Sequence, residues 1–194
     1  MIRRLSHGLL IGLSISLILS LFLYIGLFEN WQNQLSDSLF TPAQSREDII
    51  IIAVDNRSIA EIGRWPWSRS EHAHLINTLS DVSFIGGKPA VVGYDISFLE
   101  KADSNGDEEF ALALKKTQNI VLAGEAESLK IESGMVTSEQ LLLPIPLFTQ
   151  YTEIGMVNTI PDPDGVTRKL PTKIKASGID HDNFAVEDRH PCHT

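Results

Sequence analysis

The sequence predicts an α/β fold in which an N-terminal transmembrane helix precedes an extracytoplasmic domain with a mostly parallel, mixed sheet flanked by helices. Three observations support this prediction. Residues 8–28 form an apolar run without a charged side chain. Short β-branched runs then alternate with amphipathic stretches, as in βαβ units. Cys192 is the single cysteine, so the domain depends on its own core and not on an internal disulfide.

The apolar run is long enough to span a bilayer. As a helix rising about 1.5 Å per residue, residues 8–28 cover about 30 Å, the thickness of the hydrocarbon core. Serines within the run can bond to carbonyls of their own helix. A cleaved signal peptide is the alternative, but its apolar region is about 7–15 residues long and ends at a small-x-small site. Glu29-Asn30-Trp31 follows here, so an uncleaved anchor is favoured.

Basic residues indicate the orientation of this span. Arg3 and Arg4 precede it, and the positive-inside rule keeps such charges in the cytoplasm. We therefore expect a single-pass protein of the cell inner (plasma) membrane that contacts the lipid bilayer through residues 8–28. Residues 1–7 would be cytoplasmic, and the remainder would be periplasmic or extracellular.

The external part is acidic, with all 25 Asp and Glu and 14 of the 16 Lys and Arg. A nucleic-acid partner is not expected for such a surface. Residues 29–47 predict a juxtamembrane helix or stalk stopped at Thr41-Pro42. Residues 48–175 predict the folded external domain, and residues 176–194 an irregular tail.

The domain begins with elements typical of α/β folds. Residues 49–54 are β-branched and predict a strand buried on both faces. A capping box from Ser68 to Glu71 begins a helix that Gly86-Gly87 terminates. A strand at 90–94, a helix at 107–117 and a strand at 120–123 follow.

The later part of the domain has weaker signals. Residues 134–148 predict no element, because Pro144 and Pro146 disrupt regular structure. Residues 154–159 and 166–174 predict a hairpin around the turn at Asp164-Gly165.

Two aspartates follow predicted parallel strands. Asp55 and Asp95 would both emerge at the carboxyl edge of the sheet, where open α/β sheets form crevices. Such a pair could bind a metal ion or a cationic ligand, or act in acid/base chemistry. Alternatively, the two carboxylates cap turns or pair with nearby arginines.

An unusual stretch precedes the first helix of the domain. Arg64, Trp65, Trp67 and Arg69 surround Pro66, and aromatic and Arg side chains together make good ligand walls or interface anchors. The tryptophans could equally plug the end of the core while the arginines bond loop carbonyls.

The histidines do not predict a metal site. His72 and His74 lie two apart on a helix and point to different faces. His190, Cys192 and His193 are metal-type side chains without a second cluster at ligand spacing. We expect no metal and no cofactor.

Four stretches in this order resemble one family, the type-two CHASE domain. They are Asp48-Ile-Ile-Ile-Ile-Ala-Val-Asp55, Gly63-Arg-Trp-Pro-Trp-Ser-Arg69, Val92-Gly-Tyr-Asp-Ile-Ser-Phe98, and Gly155-Met-Val-Asn158 through Asp162-Pro-Asp-Gly-Val-Thr-Arg168. The resemblance covers roughly residues 35–174 and implies an extracellular sensory module. Its motifs add Asn158, Asp164 and Arg168 to the ligand-binding candidates Asp55, Arg64, Trp65, Trp67, Arg69 and Asp95.

The resemblance implies the sensing half of a signal-transduction receptor, which binds a small-molecule or protein ligand outside the cell. Members usually continue into further membrane helices and a cyclase or kinase. The sequence ends 20 residues after Ile174 without such motifs, so we expect a truncated receptor without its output domain and without a catalytic site. A metal-dependent periplasmic hydrolase and a dimerising or structural module remain open as alternatives.

Overall fold

The computed structural model describes residues 2–40, 47–81 and 88–185, and the chain divides into two units, Met1–Ile52 and Ala53–Thr194. The helices of the described residues are α1 (Ile2–Tyr24), α2 (Glu29–Leu39), α3 (Asn56–Ile62), α4 (Arg69–Ser80), α5 (Ser104–Thr117) and α6 (Pro146–Thr149). The strands are β1 (Val92–Tyr94), β2 (Ile120–Glu127), β3 (Lys130–Glu132), β4 (Met135–Ser138), β5 (Gln140–Leu142), β6 (Glu153–Met156), β7 (Lys173–Ala176) and β8 (Ile179–Asp182).

Helix α1 contains, among the described residues, the single stretch that is long and apolar enough to cross a membrane. That stretch is His7–Tyr24, 18 residues with a mean hydropathy of 2.0. The hydroxyl of Ser14 donates a hydrogen bond to the carbonyl of Leu10 at 2.9 Å, as expected for a serine in an apolar helix. The polar atom is therefore satisfied within the helix.

Helix α1 ends before the apolar run does. Gly26 has φ 71°, a conformation that glycine adopts without steric cost. The N–H of Gly26 donates to the carbonyl of Leu23 at 3.2 Å, and the N–H of Leu27 donates to that of Phe22 at 3.1 Å. These two bonds form a Schellman motif, which closes the helix inside the run predicted as a span.

A helix is present in the predicted stalk, and α2 ends at Leu39, two residues before the predicted stop. The predicted stop at Thr41-Pro42 lies outside the described residues. The strand predicted at 49–54 is wrong: this segment belongs to no strand, and Ile50 and Ile51 are 84% and 86% exposed. A β-branched run favours an extended backbone, but a strand also requires a partner, which composition does not specify.

The first of two four-stranded sheets is built around β2. Its first half lies between β1 and β6, both parallel to it, and its second half pairs with β5 in the antiparallel direction. In the second sheet, order β3-β4-β7-β8, the β3–β4 and β7–β8 pairs are antiparallel and the β4–β7 pair is parallel. The domain is therefore mixed α/β, but the sheets are not mostly parallel as predicted.

Two tight turns account for the antiparallel pairs of the second sheet. Ser133-Gly134 joins β3 to β4 with φ 52° and 80°, and Ser177-Gly178 joins β7 to β8 with φ 51° and 82°. Positive φ at both central residues is the mark of the type I′ hairpin turn. Each turn directs the chain straight back along the preceding strand.

These pairings change three predictions for the later part of the domain. Residues 134–148 contain β4, β5 and α6 instead of a loop, with Pro146 at the first position of α6. Residues 154–159 and 166–174 form no hairpin, because β6 pairs with β2 and β7 pairs with β4 and β8. Strand β8 lies within the tail predicted to be irregular from residue 176.

Helices α4 and α5 cover the principal core against the first sheet. Its largest fully buried side chains include Ile76 from α4, Phe110 and Leu114 from α5, and Leu122 from β2. A smaller cluster of Ala126, Met156 and Ile174 lies between the two sheets' strands β2, β6 and β7. The helix predicted from Ser68 is confirmed, but it ends at Ser80 with Asp81 as its C-cap, before the predicted terminator at 86–87, which lies outside the described residues.

Glycines in the first sheet leave room for the aromatic ring of Phe184. The N–H of Phe184 donates to the carbonyl of Met156 at 2.9 Å. A Cβ on Gly93 would lie 2.8 Å from the Phe184 ring, and a Cβ on Gly155 would lie 2.5 Å from the Phe184 Cα. Since real Cβ atoms essentially never approach so closely, the packing of Phe184 depends on both glycines.

Candidate functional site

A short loop brings two tryptophans to the start of α4. Helix α3 ends at Ile62, and its C-cap residue Gly63 has φ 118°. The Trp65-Pro66 peptide bond that follows is cis. The indole Nε1 of Trp67 donates to the carbonyl of Gly63 at 2.8 Å, which closes the loop on itself. The Ser68 hydroxyl then accepts from the Glu71 N–H at 3.4 Å, so the predicted N-cap is confirmed.

The tryptophans rest on a buried histidine. The ring centroids of Trp65 and Trp67 lie 5.3 Å apart, and that of His72 lies 5.8 Å from Trp65 and 6.4 Å from Trp67. His72 is 3% exposed, whereas both tryptophans are partly exposed. Phe98 and Phe110, both fully buried, approach the imidazole at 5.3 and 6.0 Å. We call Trp65, Trp67, His72, Tyr94, Phe98 and Phe110 the aromatic cluster.

A hydrogen bond joins His72 to the sheet. Its Nδ1 lies 2.9 Å from the hydroxyl oxygen of Tyr94, at the end of β1. Burial and, to a smaller extent, the positive charge of Arg69 together lower the pKa of His72 to about 4. Burial also raises the pKa of Tyr94. Both groups are therefore neutral at pH 7.

An ion pair lies beside this cluster. The guanidinium carbon of Arg69 is 4.5 Å from the centroid of the Phe98 ring, and Nη2 donates to the carbonyl of Glu100 at 3.2 Å. Nε of Arg69 is 3.5 Å from Oδ1 of Asp107, and the side chains are 13% and 5% exposed. Oδ2 of Asp107 accepts from the N–H of Ala102 at 3.1 Å. The first turns of α4 and α5 are thereby tied together.

The aspartate pair predicted at the sheet edge has a different setting. Asp55 follows no strand; it N-caps α3, and its Oδ1 accepts from the N–H and the hydroxyl of Ser58, both at 2.8 Å. Both bonds lower the pKa of Asp55, and the bond from the Ser58 N–H has the larger effect. Asp95 does follow β1 and is exposed, as is Arg64. The capping alternative therefore describes Asp55.

The candidates from the later motifs bind the protein itself. The side-chain amide of Asn158 accepts from the N–H of Ala126 at 2.7 Å and donates to its carbonyl at 2.9 Å, extending the ladder beside β2. Arg168 donates to both carboxylate oxygens of Asp164, at 2.9 and 2.8 Å, and to Asp162 at 3.0 Å. The hydrogen bond from Arg168 is the main reason that the pKa of Asp164 is lowered.

Of the predicted site residues, the structure brings Trp65, Trp67 and Arg69 together, with Arg64 adjacent in the chain. Asp164 and Arg168 meet in a different loop. The sequence reading missed His72 and Tyr94 as members of the cluster. His72 lies four residues before the core residue Ile76, so helical spacing could have placed it on the buried face.

His72 and His74 point to different faces of α4, as predicted, since His72 is buried and His74 is exposed. Within residues 2–40, 47–81 and 88–185, no group of three or more His, Cys, Asp or Glu is placed to hold a metal ion. His190, Cys192 and His193 lie outside the described residues.

Comparison with known proteins assigns the family. Residues 12–187 match the CHASE2 domain, the type-two CHASE sensory domain. No curated protein and no solved structure was found to match the chain. The match includes the loop with Trp65 and Trp67, strand β1 and the loop from Asp162 to Arg168. It covers well over half of the 194 residues. The chain therefore belongs to the CHASE2 domain family, a family of extracellular sensory domains.

Proposed function

We propose that this chain is the membrane-anchored sensory module of a signal-transduction receptor and that it detects its stimulus through the aromatic cluster. One observation supports this site above the others: the partly exposed rings of Trp65 and Trp67 contact an imidazole that is 3% exposed. A molecule that touches the surface of these rings thus acts directly on the packing of the core.

The chemistry of the cluster indicates the kind of ligand. Trp65 and Trp67 offer flat apolar surface, and the neighbouring Arg64 is exposed and positively charged. A small molecule with an apolar or planar part and an anionic group would use both features. A ligand that binds better to one arrangement of the loop shifts the population toward it, as sensing requires.

Ligand binding can be measured on the full chain in detergent. Amino acids, dicarboxylates, aromatic acids and divalent cations would be screened for a shift in thermal unfolding. A compound that binds should raise the melting temperature of the wild type and should not raise that of Trp65→Ala. Trp31→Phe is the control: it replaces a tryptophan on α2, and its melting temperature should still rise. An equal shift in Trp65→Ala would place the site elsewhere.

The proposed anchor is α1, with the two arginines of residues 1–7 on the cytoplasmic side. The charge-free stretch and the positive-inside rule support this orientation. In a Cys192→Ser background, a cysteine in place of the exposed Lys101 should react with a membrane-impermeant maleimide in intact cells. A cysteine in place of Ser6 should react only after permeabilisation. The reverse pattern would overturn the orientation.

Dimerisation is a second candidate function, favoured by α2. Trp31, Leu35 and Leu39 recur every four residues and are 72%, 67% and 83% exposed. Such a stripe fits the same stripe of a second copy. A cysteine in place of Gln34, again in Cys192→Ser, should form disulfide-linked dimers in membranes, and Leu35→Glu should reduce them. Unchanged cross-linking in Leu35→Glu would argue against this interface.

A further inference from the structure

Five aromatic rings surround the imidazole of His72. Trp65 and Trp67 come from the loop before α4, Tyr94 from the end of β1, Phe98 from the segment after β1, and Phe110 from α5. The imidazole satisfies Nδ1 with the Tyr94 hydroxyl at 2.9 Å. Such a pocket suits a neutral ring, because an apolar environment strongly disfavours a buried charge.

The charged groups of the surrounding elements do not favour a second positive charge. On α4 itself, Arg69 lies one turn before His72. On α5, Asp107 is engaged with Arg69 and with the N–H of Ala102. Tyr94, the titratable group from β1, is neutral. A proton added to His72 therefore meets a guanidinium on its own helix and a carboxylate that is already paired.

The two halves of the enclosure differ in how easily they can move. Phe98 and Phe110 are fully buried in the principal core. Trp65 and Trp67 are partly exposed and belong to a loop of a few residues between α3 and α4. Displacement of the tryptophans is the least costly way to expose a protonated imidazole to water, because it leaves the remaining core intact.

We propose that the proton is itself a stimulus of this domain: acidification protonates His72, and the imidazolium displaces the Trp65–Trp67 loop from the core. This inference rests on the proposed sensory function and identifies a stimulus for the same site. The pKa of His72, lowered to about 4 from its usual 6.5, supports opening of the loop by acid. The closed loop binds the proton weakly and the open loop binds it normally, so acid favours opening.

Fluorescence of the full chain in detergent tests this proposal. In a Trp31→Phe background, Trp65 and Trp67 are the only indoles, since the chain has three tryptophans. Lowering the pH from 7 toward 4 should shift their emission to the red and increase quenching by acrylamide, reversibly. His74→Gln, which removes the exposed histidine of the same helix, should show the same transition.

The decisive variant is the double replacement His72→Phe with Tyr94→Phe. It keeps both rings, removes the titrating group, and leaves no buried hydroxyl without a partner. Its tryptophans should remain shielded throughout the pH range. If the double variant shows the wild-type transition, the proposal is overturned.

A measurement on the unmodified chain covers the case in which the variant does not fold. Histidine labelled with ¹³C at Cε1 should give one imidazole signal that titrates together with the change in acrylamide quenching. Titration of every histidine near pH 6.5 without any change in quenching would overturn the proposal. If a ligand still shifted melting in a Trp65-dependent way, the sensory function would stand and only the proton would be rejected.

Discussion

Arg69 and Asp107 pair inside the domain although they belong to the first turns of different helices. Nε of Arg69 and Oδ1 of Asp107 are 3.5 Å apart, and neither of these two buried atoms has a hydrogen-bond partner among the described residues. Arg69 also lies against Gly106, where a Cβ would be 3.2 Å from the Cβ of Arg69. The close approach of α4 and α5 at this end thus depends on Gly106 and on the mutual neutralisation of Arg69 and Asp107.

Removal of one member of this pair should destabilise the domain. Asp107→Asn leaves a buried guanidinium without its counter-charge, and we expect a loss of about 3 kcal/mol in the free energy of unfolding. Urea unfolding of the full chain in detergent measures it. The exposed pair Arg57–Glu61 is the control, since Arg57→Ala should cost about 0.5 kcal/mol or less.

The double variant Arg69→Met with Asp107→Leu separates charge from packing. Apolar residues of similar volume remove both buried charges, so most of the stability lost in Asp107→Asn should return. A double variant that is less stable than Asp107→Asn would contradict this account and assign the loss to the bonds with Glu100 and Ala102.

The stability of the domain should depend on pH through His72. Its pKa in the folded state, about 4, lies below the usual 6.5, so as pH falls the unfolded chain takes up the proton first. Stability from this group is complete above pH 6.5 and is lost progressively between pH 6.5 and 4. The wild type should lose at most about 3 kcal/mol over this range relative to His72→Phe with Tyr94→Phe, because opening of the Trp65–Trp67 loop limits the loss. Parallel pH profiles of the two proteins would refute the assignment.

Gly93 and Gly155 should respond differently to changes at Phe184. Gly155→Ala places a Cβ against the backbone of residue 184, and we expect a loss of about 3 kcal/mol that Phe184→Ala does not relieve. Gly93→Ala meets only the Phe184 ring, so its effect should be strongly non-additive with Phe184→Ala. Gly12→Ala, with no atom within 4 Å, is the neutral control for both. Additive behaviour at Gly93 would show that the ring does not lie over it.

Asn158 should prove to be a structural residue. Asn158→Ala leaves the N–H and the carbonyl of Ala126 without this partner, and we expect a loss of about 2 kcal/mol. Hydrogen exchange at the Ala126 amide should accelerate. Asn77→Ala, at an exposed position on α4, should change stability by about 0.5 kcal/mol or less. A ligand-induced shift in melting that is present in the wild type and lost in Asn158→Ala, without a loss of stability, would instead indicate a binding role.

Several elements could be predicted because their signals are local. The hydroxyl of Ser68 caps α4 as its spacing to Glu71 indicated, and the helical phase separates buried His72 from exposed His74. The turn at Asp164-Gly165 is present, with Gly165 at φ 82°. The predicted hairpin around it is wrong: residues 154–156 belong to β6 and residues 173–174 to β7, but these strands do not pair, since a turn signal does not specify which strands pair.

By itself, the sequence determined an apolar N-terminal helix, the alternation of helices and strands, the N-cap of α4 and the motifs of the CHASE2 family. These follow from residue spacing within one or two turns, where hydrogen bonds and side-chain periodicity act locally. The tertiary structure decided which strands pair and that His72 meets Tyr94 beneath the tryptophans. The contact between His72 and Tyr94 joins residues 22 positions apart, and its energy depends on packing that no local pattern encodes.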